Sequence, residues 1–201
     1  MEKEKEKRLE EVRQRILGCT KCPLHESRTR AVPGEGNHDA ALVLVGQGPG
    51  ENEDALGRPF VGRAGDLLDR FLKGVAIDRS DIRITNVTRC FPPEKRLPLA
   101  SEIKACAPYV LQEIDIIKPA VVSPLGNVAL QLLLEPSAKI REMRGKPIPQ
   151  RTHFLFPMLH PAAVLRRPDL LSIARQDFVV LKEFIESRPE LRPPPGQESF
   201  F

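Results

Sequence analysis

Short apolar runs alternate with segments of helical character along most of the chain, and this alternation restricts the possible folds more than any other feature. Four runs have the length of buried strands, at residues 41–46, 82–87, 120–124 and 153–158. Helical segments follow them at 63–73, 101–117, 126–134 and 169–187. Strands that alternate with helices favour parallel pairing with helices on both faces. We therefore predict an α/β fold, a three-layer α/β/α sandwich around a central, mainly parallel, four-stranded sheet.

Two further segments flank this pattern. Residues 3–17 have the apolar spacing of an amphipathic helix. Beyond residue 187 the composition changes to a proline-rich stretch, RPELRPPPGQESFF, which is typical of an extended linker. The sequence therefore predicts one folded domain at 1–187 and a flexible tail at 188–201.

The N-terminal segment MEKEKEKRLEE is charged and has no apolar stretch behind it, unlike a secretory signal. No apolar run is long enough to span a membrane. We expect a cytoplasmic protein without a membrane partner. The net charge of +4, from 31 basic and 27 acidic residues, is compatible with a polyanionic partner but does not identify one.

Four cysteines suggest a metal centre. Cys19 and Cys22 form a CxxC pair, and Cys90 and Cys106 lie far downstream. In a reducing compartment such a set favours metal binding over disulfides, and a CxxC brings two thiolates to one centre. Four thiolates suit either zinc or an iron–sulfur cluster, and the spacing alone leaves both open.

The loops that follow the predicted strands carry the other candidate residues. Ligands of parallel sheets bind at the carboxyl ends of the strands. The loop after the first strand is rich in glycine, GQGPGENEDALGRPFVGRAG, which allows a ligand to approach the backbone closely. Pro49 argues against the helix start that a dinucleotide site needs. Asn86 ends the second strand and His160 follows the fourth, so both are predicted at the same edge.

Four segments together resemble a known family. GQGPGENED, GRPFVGRAG, ITNVTRC and FPMLHPAAVLRR are similar, in this order, to the motifs of family 4 uracil-DNA glycosylases. The resemblance covers about residues 19–167. It implies an enzyme of base excision repair that binds DNA and releases uracil without cutting the strand. We expect it to be associated with the nucleoid, and a monomer is the default expectation. The resemblance also implies a 4Fe–4S cluster on Cys19, Cys22, Cys90 and Cys106, which braces the fold.

The resemblance assigns the uracil-binding and catalytic roles. The implied uracil-binding residues are Gln47, Gly48, Pro49, Phe60, Asn86 and His160. Phe60 would stack on the base, the Asn86 amide would pair with uracil O4 and N3–H, and His160 would stabilise charge on the departing O2. The family usually has glutamate where this chain has Gln47, so the catalytic candidates are Gln47, His160 and, for the missing charge, Glu53. Glutamine leaves open an alternative, a weak or inactive module that recognises uracil or single-stranded DNA; an electron-transfer protein is a third, less favoured reading.

DNA contacts are expected on two segments. Val164 or Leu165 could wedge into the gap that a flipped base leaves. Candidate phosphate contacts are Arg144, Lys146, Arg166 and Arg167. A related subgroup traps uracil-DNA covalently through a histidine in the loop that here spans 91–101, and this loop has none. At the C-terminus, Gln197, Phe200 and Phe201 resemble a peptide that docks onto DNA sliding clamps.

Overall fold

A computed structural model describes residues 2–188 of the chain. The predicted clamp-docking residues Gln197, Phe200 and Phe201 lie outside the described residues. Within residues 2–188, no helix has the length and apolar character that a membrane span requires.

One mixed sheet forms the centre of the fold. Its six strands are β1 (Glu35–Gly36), β2 (Leu42–Gly46), β3 (Arg83–Asn86), β4 (Val121–Pro124), β5 (Ile148–Pro149) and β6 (Phe154–Leu155). They lie in the order β1-β3-β2-β4-β6-β5. The inner four are parallel and correspond to the four predicted strands, whereas β1 and β5 are antiparallel edges. The predicted fold class is confirmed, although the sheet has two more strands than predicted.

Strand β2 is buried and free of polar side chains along its whole length, because both faces of the sheet are covered. In β2 the side chains alternate between two cores. Leu42 and Leu44 pack into the core on one face, and Val43 and Val45 pack into the core on the other. This arrangement is the predicted three-layer sandwich.

Nine α-helices are present in the described part of the chain. They are α1 (Glu2–Leu17), α2 (Leu24–Ser27), α3 (Glu51–Leu56), α4 (Arg63–Gly74), α5 (Ala100–Ile117), α6 (Asn127–Leu133), α7 (Ile140–Met143), α8 (Pro161–Arg166) and α9 (Leu171–Glu186). Single 3₁₀ turns lie at Arg79–Asp81, Pro93–Lys95 and Pro168–Leu170. Helix α1 packs on α5, and α4 packs on α8 and α9. Helix α3 lies within the predicted glycine-rich loop after β2, and the short helices α7 and α8 lie in segments for which no helix was predicted.

Helix α5 differs from the prediction at its start. The predicted helix starts at residue 101, but the helix begins one residue earlier and Leu99 is the capping residue. The Glu102 carboxylate accepts the Leu99 N–H at 2.7 Å, so a glutamate in the first turn satisfies the backbone donor of the capping residue. Helical structure continues through Pro108 to Ile117, although a proline inside a helix removes one backbone hydrogen bond.

A buried ionic network connects β3 to α5. Glu113 accepts hydrogen bonds from Arg83 at 2.8 Å, from the Thr85 hydroxyl at 2.7 Å, and from Arg89. Burial opposes the charge of Glu113, but the guanidinium groups of Arg89 and Arg83 outweigh it and hold the pKa at about 2. Because Arg89 precedes Cys90, this network fixes β3 relative to the loop that carries the third cysteine.

Candidate active site and cysteine centre

A cleft opens at the carboxyl edge of the parallel strands. Its volume is about 610 Å³, in the range of small-molecule sites. The loops after β2, β3, β4 and β6 form its walls. All six residues predicted to bind uracil line it, namely Gln47, Gly48, Pro49, Phe60, Asn86 and His160. The parallel register explains why, since it pairs Gly46 with Asn86 and so aligns the ends of β2 and β3.

Gly46 allows two of these side chains to converge. A Cβ atom at this position would lie 2.3 Å from Asn86 Oδ1 and 2.7 Å from Phe60 Cζ, both far inside contact distance. Any larger residue would displace the amide or the ring. The glycine at the end of β2 is therefore a requirement of the site.

Asn86 presents an unused hydrogen-bond acceptor to the site. The residue is 2% exposed, and its Oδ1 has no hydrogen-bond partner within the described residues. An unsatisfied buried acceptor costs roughly 1–3 kcal/mol. Such a group in a cleft indicates a ligand that supplies the missing donor.

Phe60 has a strained backbone, with a φ of +52° that residues other than glycine rarely adopt. Its turn depends on Gly65, where a Cβ atom would lie 1.9 Å from the Phe60 carbonyl oxygen. The Phe60 ring stacks against His160 with 5.6 Å between ring centroids and 27° between planes. This spacing leaves no room for a base between the two rings, so together they form one wall of the cleft.

His160 is held in a single neutral tautomer. It caps α8, and its Nδ1 accepts the N–H of Ala162 at 3.1 Å. Burial, together with the positive charge of Arg166, lowers the pKa of His160 to about 4. Because Nδ1 is an acceptor and the ring is neutral at pH 7, the proton is on Nε2. The residue therefore offers one N–H donor to the cleft.

Glu53 lines the cleft, but its carboxylate is already engaged. Oε1 accepts the N–H groups of Val61 and Gly62, each at 3.0 Å, and Oε2 accepts the N–H of Gly50 at 3.0 Å. These bonds hold both ends of the segment that carries Phe60. The geometry gives Glu53 a positioning role and does not favour the catalytic role predicted for it.

The carboxylate of Asp54 is used in the same way, since it accepts the Thr29 N–H at 2.9 Å. At Gln47, the main-chain oxygen accepts the Thr88 N–H at 3.0 Å. The backbone that carries the Gln47 side chain along the cleft is thus anchored to the segment after β3. Thr88 also lines the cleft, and nothing in the sequence singled it out.

The two residues predicted to wedge into DNA do not line the cleft. Val164 is 2% exposed and packs in the core. Leu165 is partly buried and packs against the same core. Both lie on α8, a helix that the sequence was not expected to form, and its packing against α4 turns these side chains away from solvent.

The predicted phosphate contacts fall into two groups. Arg144 binds Asp177 with Nε at 2.8 Å and also donates to the Ile173 carbonyl, so its guanidinium is used in the fold, contrary to the prediction. Arg167 pairs with the exposed Asp169. Lys146 and Arg166 are exposed, and Arg166 also lines the cleft.

The opposite wall of the cleft was not predicted. It consists of the segment after the third cysteine, and its lining residues are Phe91, Pro92, Lys95, Arg96, Leu97 and Pro98. The only signal in the sequence was its place directly after β3, since loops at this edge of a sheet commonly carry binding residues.

The four cysteines come together at a second, smaller pocket. Cys19, Cys22, Cys90 and Cys106 all line it, and all are free thiols. Arg28 donates to Cys90 Sγ at 3.1 Å. Burial raises the pKa of Cys106 to about 11 and also raises the pKa values of Cys22 and Cys90. Among residues 2–188, no three histidine, cysteine or acidic side chains are grouped as a single metal ion would require.

Comparisons with known proteins agree with this geometry. A family model described as the uracil DNA glycosylase superfamily matches residues 33–182. A type-4 uracil-DNA glycosylase of Thermotoga maritima is 42% identical, over 90% of this chain and 97% of its own length. Type-4 enzymes of Sulfurisphaera tokodaii and Pyrobaculum aerophilum are 41% and 40% identical, over 87% and 86% of this chain and 84% and 92% of their own lengths. The chain therefore belongs to the uracil-DNA glycosylase superfamily and, within it, to the type-4 group.

Proposed function

We propose that the protein hydrolyses the N-glycosidic bond of deoxyuridine in DNA, which releases uracil and leaves an abasic site without cutting the strand. The observation that carries this proposal is the unpaired, buried Oδ1 of Asn86, which lies beside the Phe60 ring and the neutral His160. The names of the type-4 relatives support the same activity.

Recognition of uracil follows from the Asn86 amide. Oδ1 would accept the uracil N3–H, and the amide N–H₂ would donate to O4. Cytosine presents a donor at position 4 and an acceptor at N3, so the same amide would reject it. The base must leave the stack to reach this depth, and the wall formed by Phe60 would face the flipped base.

Hydrolysis would depend on stabilisation of the leaving group. When the C1′–N1 bond breaks, its electron pair passes to the uracil ring and negative charge develops on O2. The Nε2–H of His160 would donate a hydrogen bond to this oxygen. This hydrogen bond stabilises the charge most in a site that excludes water. Water adds to C1′ and loses a proton to solvent. The Gln47 amide could orient this water, although an amide cannot act as a base and take its proton as a carboxylate could.

We further propose that Cys19, Cys22, Cys90 and Cys106 hold a 4Fe–4S cluster. The donor set fits, because four thiols from separate segments line one pocket, none is in a disulfide, and Arg28 offsets negative charge. When bound, the cluster would supply a covalent cross-link between the end of α1, the loop after β3 and α5. Its role would thus be to fix the walls of the cleft.

Loss of one cysteine is expected to remove the cluster and with it the cross-link between these segments. Cys106→Ser should abolish iron binding and lower the Tm by about 10 °C or more, because metal-binding energy is folding energy. Iron content, the visible absorbance of the cluster and thermal unfolding measure this. Ala105→Ser, in the same pocket, is the control and should keep the iron and the Tm. An iron-free variant with the stability of the wild type would contradict the proposed role.

The activity itself is tested with single-stranded and U:G oligonucleotides. The wild-type protein should release free uracil and leave alkali-labile sites, and Gln47→Glu should change the rate by less than about tenfold if leaving-group stabilisation dominates. Gln47 is the one residue that favours the alternative function, a recognition module. Absence of uracil release by the wild type, with activity gained in Gln47→Glu, would establish that alternative.

Uracil-containing DNA is the partner that this function requires, and we propose that the protein acts on it as a monomer at the nucleoid. Docking of the tail on a sliding clamp, through Gln197, Phe200 and Phe201, stays a separate proposal.

A further inference from the structure

We infer that Leu97 is the side chain that fills the base stack when a uracil nucleotide leaves duplex DNA. This inference rests on the proposed function. A flipped nucleotide leaves a gap, and proteins that unstack DNA commonly insert an apolar side chain into it. Such a residue has to be exposed, apolar and at the mouth of the cleft that receives the base.

Leu97 meets all three conditions. It is 66% exposed, and it is the only exposed large hydrophobic residue in the described part of the chain that also lines the cleft. Val164 and Leu165 do not line the cleft; Val164 is buried in the core, and Leu165 is partly buried and packs against it.

The backbone around Leu97 is held in place while its side chain stays in solvent. Arg96 donates from Nη1 to the Leu97 carbonyl at 2.9 Å, and the same guanidinium binds both carboxylate oxygens of Glu102 at 2.6 and 2.9 Å. Glu102 is 2% exposed and also accepts the Leu99 N–H. Arg96 before Leu97 and Leu99 two residues after it are thus both bound to one buried carboxylate at the start of α5. A wedge fixed in advance loses little freedom on binding.

Strain and charge point to the same loop. Glu94 and Lys95 are both left-handed, with φ values of +56° and +58°, a conformation that non-glycine residues rarely adopt in succession. Lys95 lines the cleft and pairs with Glu51 at 2.9 Å, and both side chains are exposed. An exposed pair of this kind is weak, so a DNA phosphate can replace the glutamate. Leu97 therefore lines the same cleft as two basic residues, Lys95 and Arg166.

The experiment compares Leu97→Ala with the wild type on three substrates that differ in the free energy needed to unpair and unstack the uracil nucleotide. Leu97→Ala should lower kcat/KM at least tenfold on a U:A duplex, less on a U:G mismatch, and less than twofold on single-stranded DNA, which has no opposite stack to fill. Leu111→Ala is the matched control, because Leu111 is 48% exposed on α5 and does not line the cleft. Leu97→Met should restore most of the duplex activity.

Fluorescence provides a readout that does not depend on catalysis. A duplex carries 2-aminopurine next to a 2′-fluorinated deoxyuridine that resists hydrolysis, and unstacking by the wild type should raise the emission. Leu97→Ala should reduce this rise, and Leu111→Ala should not. Equal losses on single-stranded and duplex DNA, or an unchanged rate on U:A, would overturn the inference. Failure of the wild type to release uracil from single-stranded DNA would instead contradict the proposed function, and the fluorescence would still decide the role of Leu97.

Discussion

Replacement of His160 by alanine should lower uracil release by about 10²–10³-fold, the usual cost of one lost donor to a developing anion. The effect should fall on kcat, because the charge on uracil O2 arises only as the glycosidic bond breaks. Binding of uracil-containing DNA should change little. Single-turnover rates and equilibrium binding, measured on the same oligonucleotide, separate these two effects.

A matched control is available in the same chain. His153 is half-buried in the turn before β6 and does not line the cleft, so His153→Ala should keep the wild-type rate. A loss of comparable size in both variants would mean that His160 acts through general stability. His160→Gln, which keeps an N–H donor near the same place, should recover part of the rate lost in the alanine variant.

The pH dependence follows from the lowered pKa of His160. Its folded pKa of about 4 lies below the ordinary value of 6.5, so the neutral, donating form persists from pH 8 to about pH 5 and is lost only as the pH falls through 4. The single-turnover rate of the wild type should therefore show no step near pH 6.5. A decrease centred near 6.5 would show that the histidine titrates normally and that the Ala162 bond does not fix its tautomer.

The four inner strands and the residues at their ends could be predicted from sequence. The clearest is the run 42–46, which has no polar interruption because both of its faces are buried. Asn86 and His160 then followed from their position, since parallel strands end at one edge. The edges β1 and β5 could not be predicted, because each has only two residues and no pattern.

Helix α8 and the ion pair of Arg144 were not predicted, for different physical reasons. For α8 a signal was present: Pro161 follows a capping residue, and Pro161 and Val164 are three apart, so both face the core. The apolar and basic residues of this segment also fit a DNA-contacting loop, and this pattern competes with the helix signal. The partner of Arg144 is Asp177, 33 residues away. No local sequence pattern predicts an ion pair between residues so far apart in the chain. Leu97 was missed because exposure is a property of the folded loop.

Asn86→Ala should lower kcat/KM for uracil by about 30- to 150-fold, because two hydrogen bonds of about 1–1.5 kcal/mol each disappear. Asn86→Asp should lose more, since its carboxylate would face uracil O4 without a donor. Asn52→Ala, on the exposed side of α3, is the control and should keep the wild-type rate.

Thermal unfolding of the same Asn86 variants distinguishes recognition from support of the fold. An asparagine that holds the structure together would lose stability with its hydrogen bonds. The Oδ1 of Asn86 has no partner in the described part of the chain, so Asn86→Ala removes an unsatisfied acceptor and should leave the Tm unchanged or slightly raised. A large rate loss without a drop in Tm would assign the amide to the substrate. A Tm lowered in proportion to the rate would assign it to the fold, and uracil would then have to be recognised by other groups in the cleft.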